Sequence, residues 1–232
     1  MEKLAWAFSK LSKISSLPRY AREFPSFIRG TAKAKTAWGD TMYVPFPEHR
    51  CVVERGLFDG EEDVLAYFNE HITSKDVFFD IGANAGFFSL LANSKGAEVH
   101  AFEPFPDTFQ LLKKNIEING NTIYGHEMAV SNQTGFRFMQ GAGPSGYNKV
   151  SENGTVKVRT IRLDDFPVIP TILKMDVEYH DLEAVKGAEQ MLRKYKPTLV
   201  VECDTSMDFL LGLGYKARLL GPTKKRNYVF EM

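Results

Sequence analysis

The spacing of apolar positions changes along the chain, and each change predicts an element. Near the start, Leu4, Phe8 and Leu11 recur at helical intervals with Ala7 and Ile14 beside them, until Pro18 and Pro25 break the pattern. From Thr41 the residues turn β-branched and aromatic. Residues 42–46 and 50–54 predict a hairpin around Pro47. Gly60 then precedes a helix over residues 61–71, with Val64, Leu65 and Phe68 on its apolar face.

A regular alternation follows. Short apolar strands are predicted over residues 77–81, 98–102 and 123–130, with helices over 87–93 and 107–118 between them. The rhythm pauses where two strands, 136–139 and 156–161, flank the glycine-rich stretch 141–146. It resumes with strands 171–177 and 198–202 and helices 181–194 and 206–211, and ends on strands 215–220 and 228–231. Strands alternating with helices predict an α/β fold, a mostly parallel sheet with helices on both faces. The predicted organisation is a helical extension over residues 1–40 and one α/β domain over residues 41–232.

Composition changes this picture little, and charge changes it in one place. The chain has 232 residues, 44% apolar and 25% charged, and is formally neutral. Residues 1–39 hold eight bases against two acids, so the extension carries an excess of six positive charges and the remainder the same excess of negative ones. A basic arm of this kind suits packing on its own domain, on a partner subunit or on an anionic membrane, and packing is the expectation. No apolar run reaches the ~18 residues of a membrane span, and none has the form of a signal peptide. Cys51 and Cys203 are too few for a zinc cluster or a disulfide framework. A reduced, cytoplasmic setting is expected. Nothing predicts a specific nucleic-acid partner.

Two motifs carry chemistry. The first is Asp80-Ile81-Gly82-Ala83-Asn84-Ala85-Gly86, at the end of the first strand of the alternation. Ligands of open α/β sheets bind beyond the carboxyl ends of the strands. Gly82 permits a tight turn and close backbone approach, and Gly86 close packing of the next helix against the sheet. The pattern departs from the dinucleotide fingerprint, because asparagine holds the middle position and an acid precedes the turn. A carboxylate at Asp80 suits a cationic amino-acid moiety better than a phosphate. The second motif is Phe102-Glu103-Pro104, ending the next strand, with Glu103 placed 23 residues past Asp80 to accept from ribose hydroxyls. Met128 and Ala129, at the end of the third strand, would lie against an adenine. Both motifs together point to S-adenosylmethionine, which has a sulfonium, an amine and a carboxylate but no phosphate.

The ordered set of motifs resembles the FkbM family of methyltransferases. It comprises residues 79–86, Phe102-Glu103-Pro104, Ala129-Val130-Ser131-Asn132, residues 160–166, Lys174-Met175-Asp176-Val177-Glu178, Lys186-Gly187-Ala188 and residues 197–202. The resemblance spans residues 56–204. It implies a class I methyltransferase fold, a seven-stranded Rossmann-like sheet whose last strand is antiparallel. It also implies O-methylation of a sugar, glycan or natural-product hydroxyl. The chain departs from the family at Tyr179, where glycine is usual, and at Asp181, where glutamate is usual.

On the acceptor side, a hydroxyl must lose a proton as it takes a methyl group, so a base is needed. Asp176 is expected to orient the acceptor and the donor amine, with Glu178 or His180 as base. Tyr179 and Glu202 are expected to face the acceptor. Asp176, Glu178 and Glu202 are oxygen donors of the kind magnesium takes, but their spacing does not require a metal, and none is expected. His49, His71, His100 and His126 form no zinc-like spacing. Two other readings fit the pattern less well: a binding module that keeps the fold without chemistry, and a nicotinamide oxidoreductase lacking its fingerprint glycines.

Overall fold

The computed structural model describes residues 30–140, 149–150, 154–177, 180–202, 204–221 and 226–232. The chain enters on strand β1, Gly30–Lys35, which pairs antiparallel with β2, Thr41–Phe46, in register from Gly30 opposite Phe46 to Lys35 opposite Thr41. The helix expected in the extension therefore does not reach residues 30–35, and the division at residue 40 falls inside a hairpin. The arm's apolar residues 4–14 lie outside the described residues.

Residues 50–54 were expected to be β2's partner. They form helix α1 instead, Arg50–Arg55, ended by Gly56 in the left-handed region. The reason is competition: β1 already holds an edge of β2, and as a helix α1 buries Val52 and sets Cys51 and Val53 half-buried against the same core. Helix α2, Glu62–His71, buries Val64, Leu65 and Phe68 as its spacing predicts.

The alternating region follows in order: β3, Val77–Ile81; α3, Phe87–Ser94; β4, Glu98–Phe102; α4, Pro106–Asn119; β5, Ile123–His126. The strand expected over residues 123–130 is two strands. The amide of Met128 donates to the carbonyl of His126, folding the chain into a turn. Beyond it β6, Ala129–Val130, leaves for a second sheet with β7, Gly135–Gln140, β8, Lys149–Val150, and β9, Val156–Ile161, in the order β6-β9-β7-β8. The loop residues 141–148 between β7 and β8 lie outside the described residues.

The main sheet continues with β10, Ile172–Met175. The helix expected over residues 181–194 is two helices, α5, Asp181–Lys186, and α6, Glu189–Tyr195. Gly187 separates them, and a Cβ there would collide with the carbonyl of Ser131, so the break seats the chain directly on the end of β6. Strand β11, Thr198–Val201, helix α7, Met207–Gly212, and strands β12, Lys216–Leu219, and β13, Tyr228–Glu231, complete the fold.

The seven strands run in the order β12-β13-β11-β10-β3-β4-β5. All the central pairings are parallel, and β13 is antiparallel to both of its neighbours. This is the class I methyltransferase arrangement. Two cores form on its two faces. On one, Phe78, Val99, Ala101 and Val200 pack with Phe68 of α2, Leu90 and Leu91 of α3 and Leu112 of α4. On the other, Phe79, Ile81, Leu173 and Leu199 pack with Val185 of α5, Leu192 of α6 and Leu210 of α7. Strands buried on both sides explain the unbroken apolar runs in the sequence. The topology reverses between β3 and β10, and the carboxyl ends of those strands open onto a cavity.

Candidate functional site

The cavity has a volume of about 680 Å³ and lies at the carboxyl ends of β3, β4, β10 and β11. Its floor is the glycine turn. Gly82 has φ +80°, and a Cβ there would strike the carbonyl oxygen of Asp176, so only glycine lets the ends of β3 and β10 approach this closely. The amides of Gly82 and Ala83 both donate to the carbonyl of Phe102 at 3.0 Å. Asn84 is held at φ 51°, a left-handed conformation that asparagine tolerates better than most residues.

Glu103 locks this turn. Its Oε2 accepts from the Asn84 amide and its Oε1 from the Phe105 amide, each at 3.0 Å. The carboxylate is thus fixed by two backbone donors, a clamp that the ribose-binding role alone does not foretell. Burial pushes its pKa up to about 7, against the pull of those two amides. Pro104, Met128 and Ala129 line the cavity beside it, joined by Phe105, Thr108 and Met139, which the sequence reading did not single out.

Asp80 is placed differently from its expected contact with a ligand. It lies beneath the turn, 1% exposed, and does not line the cavity. Its Oδ2 accepts from Ser89 Oγ at 2.6 Å, and burial pushes its pKa up while the charge of Lys174 draws it down. Gly86 does not line the cavity either. Its φ of +88° starts α3, and a Cβ would meet Leu112 of α4, so the close approach it permits is of helix to helix, where helix to sheet was expected.

On the acceptor side, Asp176, His180 and Glu202 line the cavity together. Glu178 and Tyr179, between two of them, lie outside the described residues. His180 precedes the first turn of α5, and its Nε2 is 3.1 Å from Ser131 Oγ. Burial, followed by the charge of Arg137, holds its pKa below the usual imidazole value, so it is neutral at pH 7.

Two further groups enter from places where periodicity shows no chemistry. Lys174 reads as one residue of an apolar strand, yet its Nζ is 3.3 Å from Asp176 Oδ2. Glu61 reads as a helix-start acid, yet it is buried and faces the same cavity. Oxygens of Glu61, Asp176 and Glu202 lie within 4.8 Å of one another. Among the described residues, Glu61, from a distant segment, thus joins Asp176 and Glu202, two of the three acids that the sequence suggested as oxygen donors. Its segment is held over the cavity by a chain of rings. Trp38 packs on Phe87, Phe87 on Phe58 and Phe58 on His49, each pair with centroids 4.9 Å apart.

Two of the histidines with no evident spacing also meet. His100 Nδ1 and His126 Nε2 are 3.0 Å apart on adjacent strands, and His100 Nε2 is 3.0 Å from Glu98. Burial, then the neighbouring His100, pushes His126 down to about 4. This pair does not line the cavity.

Comparison with known proteins bears on this geometry. The profile of the methyltransferase FkbM domain matches residues 80–229, about two-thirds of the chain. The hexuronic acid methyltransferase AglP of Haloferax volcanii is 31% identical over 156 residues, 64% of this chain and 64% of that protein. The 31-O-demethyl-FK506 methyltransferase FkbM of Streptomyces tacrolimicus is 42% identical over 66 residues, 28% of this chain and 25% of that protein. The matched region thus spans less than two-thirds of either relative. Among solved structures, a SAM-dependent methyltransferase from Agrobacterium tumefaciens matches with a TM-score of 0.55 at 12% identity, over 90% of this chain and 72% of that one. A methyltransferase FkbM from Methylobacillus flagellatus matches with a TM-score of 0.51 at 19% identity, over 69% and 44%. These likenesses show the class I methyltransferase fold.

Proposed function

Since the chain belongs to the FkbM methyltransferase family, we propose that it transfers the methyl group of S-adenosylmethionine to a hydroxyl of a sugar, glycan or small natural-product-like molecule. The observation that carries the reading is the Glu103 clamp. A rigid, buried carboxylate spans the glycine turn and faces a cavity whose far wall bears Asp176 and His180.

The residues fit this donor. Gly82, Ala83 and Asn84 line the cavity with the turn, Glu103 has lone pairs left to accept from ribose hydroxyls, and Met128 and Phe105 offer apolar surface to an adenine. The bound donor would supply an activated methyl carbon with a neutral thioether as leaving group.

The chain's own contribution is alignment and proton removal. An acceptor hydroxyl held against Asp176 can be set in line with the donor's carbon–sulfur bond. As its oxygen forms the new carbon–oxygen bond, the carbon–sulfur pair stays with sulfur and the hydroxyl proton must leave. His180, neutral at pH 7, can take it on a ring nitrogen. Glu178 is the other candidate base. The hexuronic acid on which the relative AglP acts supports a sugar acceptor here.

The test is incubation of the full chain with isotopically labelled S-adenosylmethionine and a cell extract, followed by mass spectrometry of whatever gains a methyl group. Label in a sugar or small-molecule hydroxyl supports the proposal. Donor binding by calorimetry without label in any product would point to a module that has kept the fold and lost the chemistry.

A further inference from the structure

Lys174 is a buried cation that the proposed chemistry has not used. It lies on β10 directly opposite Asp80 on β3, so the two side chains are neighbours on the sheet face covered by α3. Its side chain is 7% exposed, with Nζ 3.3 Å from Asp176 Oδ2 and 4.9 Å from the centre of the Phe88 ring. The charged and polar groups around it come from every adjoining element: Asp80 from β3, Ser89 from α3 through Asp80, Asp176 from the end of β10, Glu202 from the end of β11, and Glu61 from the start of α2. Burial alone would drive the proton off. The carboxylates of Asp176, Asp80, Glu61 and Glu202 outweigh burial and keep Lys174 charged.

Three of those carboxylates, Glu61, Asp176 and Glu202, have oxygens close enough together to hold a divalent ion. An ammonium already in contact with Asp176 competes for the same oxygens. We propose that Lys174 is the resident cation of this site, a positioning residue whose tethered ammonium holds the Asp176 carboxylate in place beside Glu61 and Glu202, where a divalent metal would otherwise sit. The ammonium differs from a metal in one useful way. It stays tethered to the sheet, so Asp176 is fixed before any ligand arrives. Methyl transfer then proceeds without divalent metal, and removing the ammonium turns the carboxylates into a metal site.

The catalytic consequence rests on the methyl-transfer reading, whereas the metal consequence does not, so they are tested separately. First, Mn²⁺ binding to the full chain is followed by electron paramagnetic resonance. Wild type should bind no Mn²⁺ in this site, Lys174→Met should bind one ion, and adding Glu61→Gln should abolish that binding. Second, label transfer from S-adenosylmethionine to the extract acceptor is measured with and without EDTA. Wild type should be insensitive to EDTA, whereas Lys174→Met should slow by about tenfold in EDTA and Lys174→Arg should restore the rate. Thermal melts confirm that each variant is folded, with Lys174→Gln as the substitute if the methionine variant is not.

Mn²⁺ bound by wild type and lost in Glu61→Gln would overturn the proposal. So would a folded, neutral Lys174 variant with neither new metal binding nor slowed transfer. If wild type transfers no label, the methyl-transfer reading falls, and the manganese experiment still decides the role of Lys174.

Discussion

Glu103 joins two roles in one side chain, and its protonation links them. Its pKa is pushed up from 4.5 to about 7 by burial, so the fold favours the protonated form. The contribution of this group to stability is therefore complete below its unfolded value and is lost as the pH rises through about 7. A ribose needs the ionised form as acceptor, so donor binding should follow the opposite course. Calorimetry should show S-adenosylmethionine affinity rising about tenfold from pH 6 to pH 8, and a weaker, flat profile in Glu103→Gln. A flat profile in wild type would remove Glu103 from the donor site. Gly82 gives a second residue-scale prediction. With φ at +80° and the Asp176 carbonyl where a Cβ would stand, Gly82→Ala should cost about 1–3 kcal/mol in urea unfolding and sharply weaken donor binding. Glycines and acids at strand ends announce themselves in sequence because few other roles need them there. Glu61 did not, because the acids it meets come from other segments, and Lys174, although part of a quoted motif, reads in isolation as one position of an apolar strand. Asp80 was conspicuous for the same reason as Glu103, and the structure puts it beneath the turn, bonded to Ser89.

Among the elements, α4 does more than cover the sheet. Asn115 and Asn119, one turn apart, reach the backbone of β2 as a neighbouring strand would. Asn115 Oδ1 accepts from the Tyr43 amide at 2.6 Å, while its Nδ2 donates to the Tyr43 and Ala85 carbonyls at 2.8 Å each. Asn119 pairs likewise with the amide and carbonyl of Thr41. The hairpin is thereby tied to the helix, and through Ala85 to the glycine turn. Asn115→Ala would leave buried backbone groups without partners and should cost about 2–4 kcal/mol in urea unfolding. Loss of less than half that would mean that water replaces the amide without strain. The elements between residues 77 and 119 were legible almost to the residue, since each is a short apolar run bounded by glycine or polar residues or, for α4, a helix with one apolar face. The misread elements share a cause. α1 is a helix because β2's edge was already taken, the 123–130 strand divides where β6 pairs with β9, and the 181–194 helix breaks where Gly187 meets Ser131. In each case a contact distant in sequence overrides a local pattern.

At the scale of the whole molecule the open matter is the basic arm. Among the described residues no helix is long and apolar enough to cross a membrane. The described chain begins at β1, which pairs with β2, and β2 is clasped by α4, so the hairpin belongs with the catalytic body. Every residue placed on the donor side lies at or beyond position 82. Two truncations therefore separate the arm from the hairpin. Removing residues 1–35 deletes β1 with its buried Ala34, exposes an edge of β2 and should lower the melting temperature clearly. Removing residues 1–29 keeps the hairpin and should leave S-adenosylmethionine affinity within about twofold, a difference below the usual worth of one hydrogen bond. Residues 1–29 hold six bases against two acids, an excess of four positive charges that opposes an equal negative excess on the rest of the chain and favours packing on the chain's own domain near the acidic cavity wall. The shorter truncation should then lower the melting temperature slightly or slow acceptor turnover, and should not change sedimentation with anionic vesicles. If it leaves melting and turnover untouched but abolishes vesicle binding, the arm faces a membrane and the packing proposal is wrong.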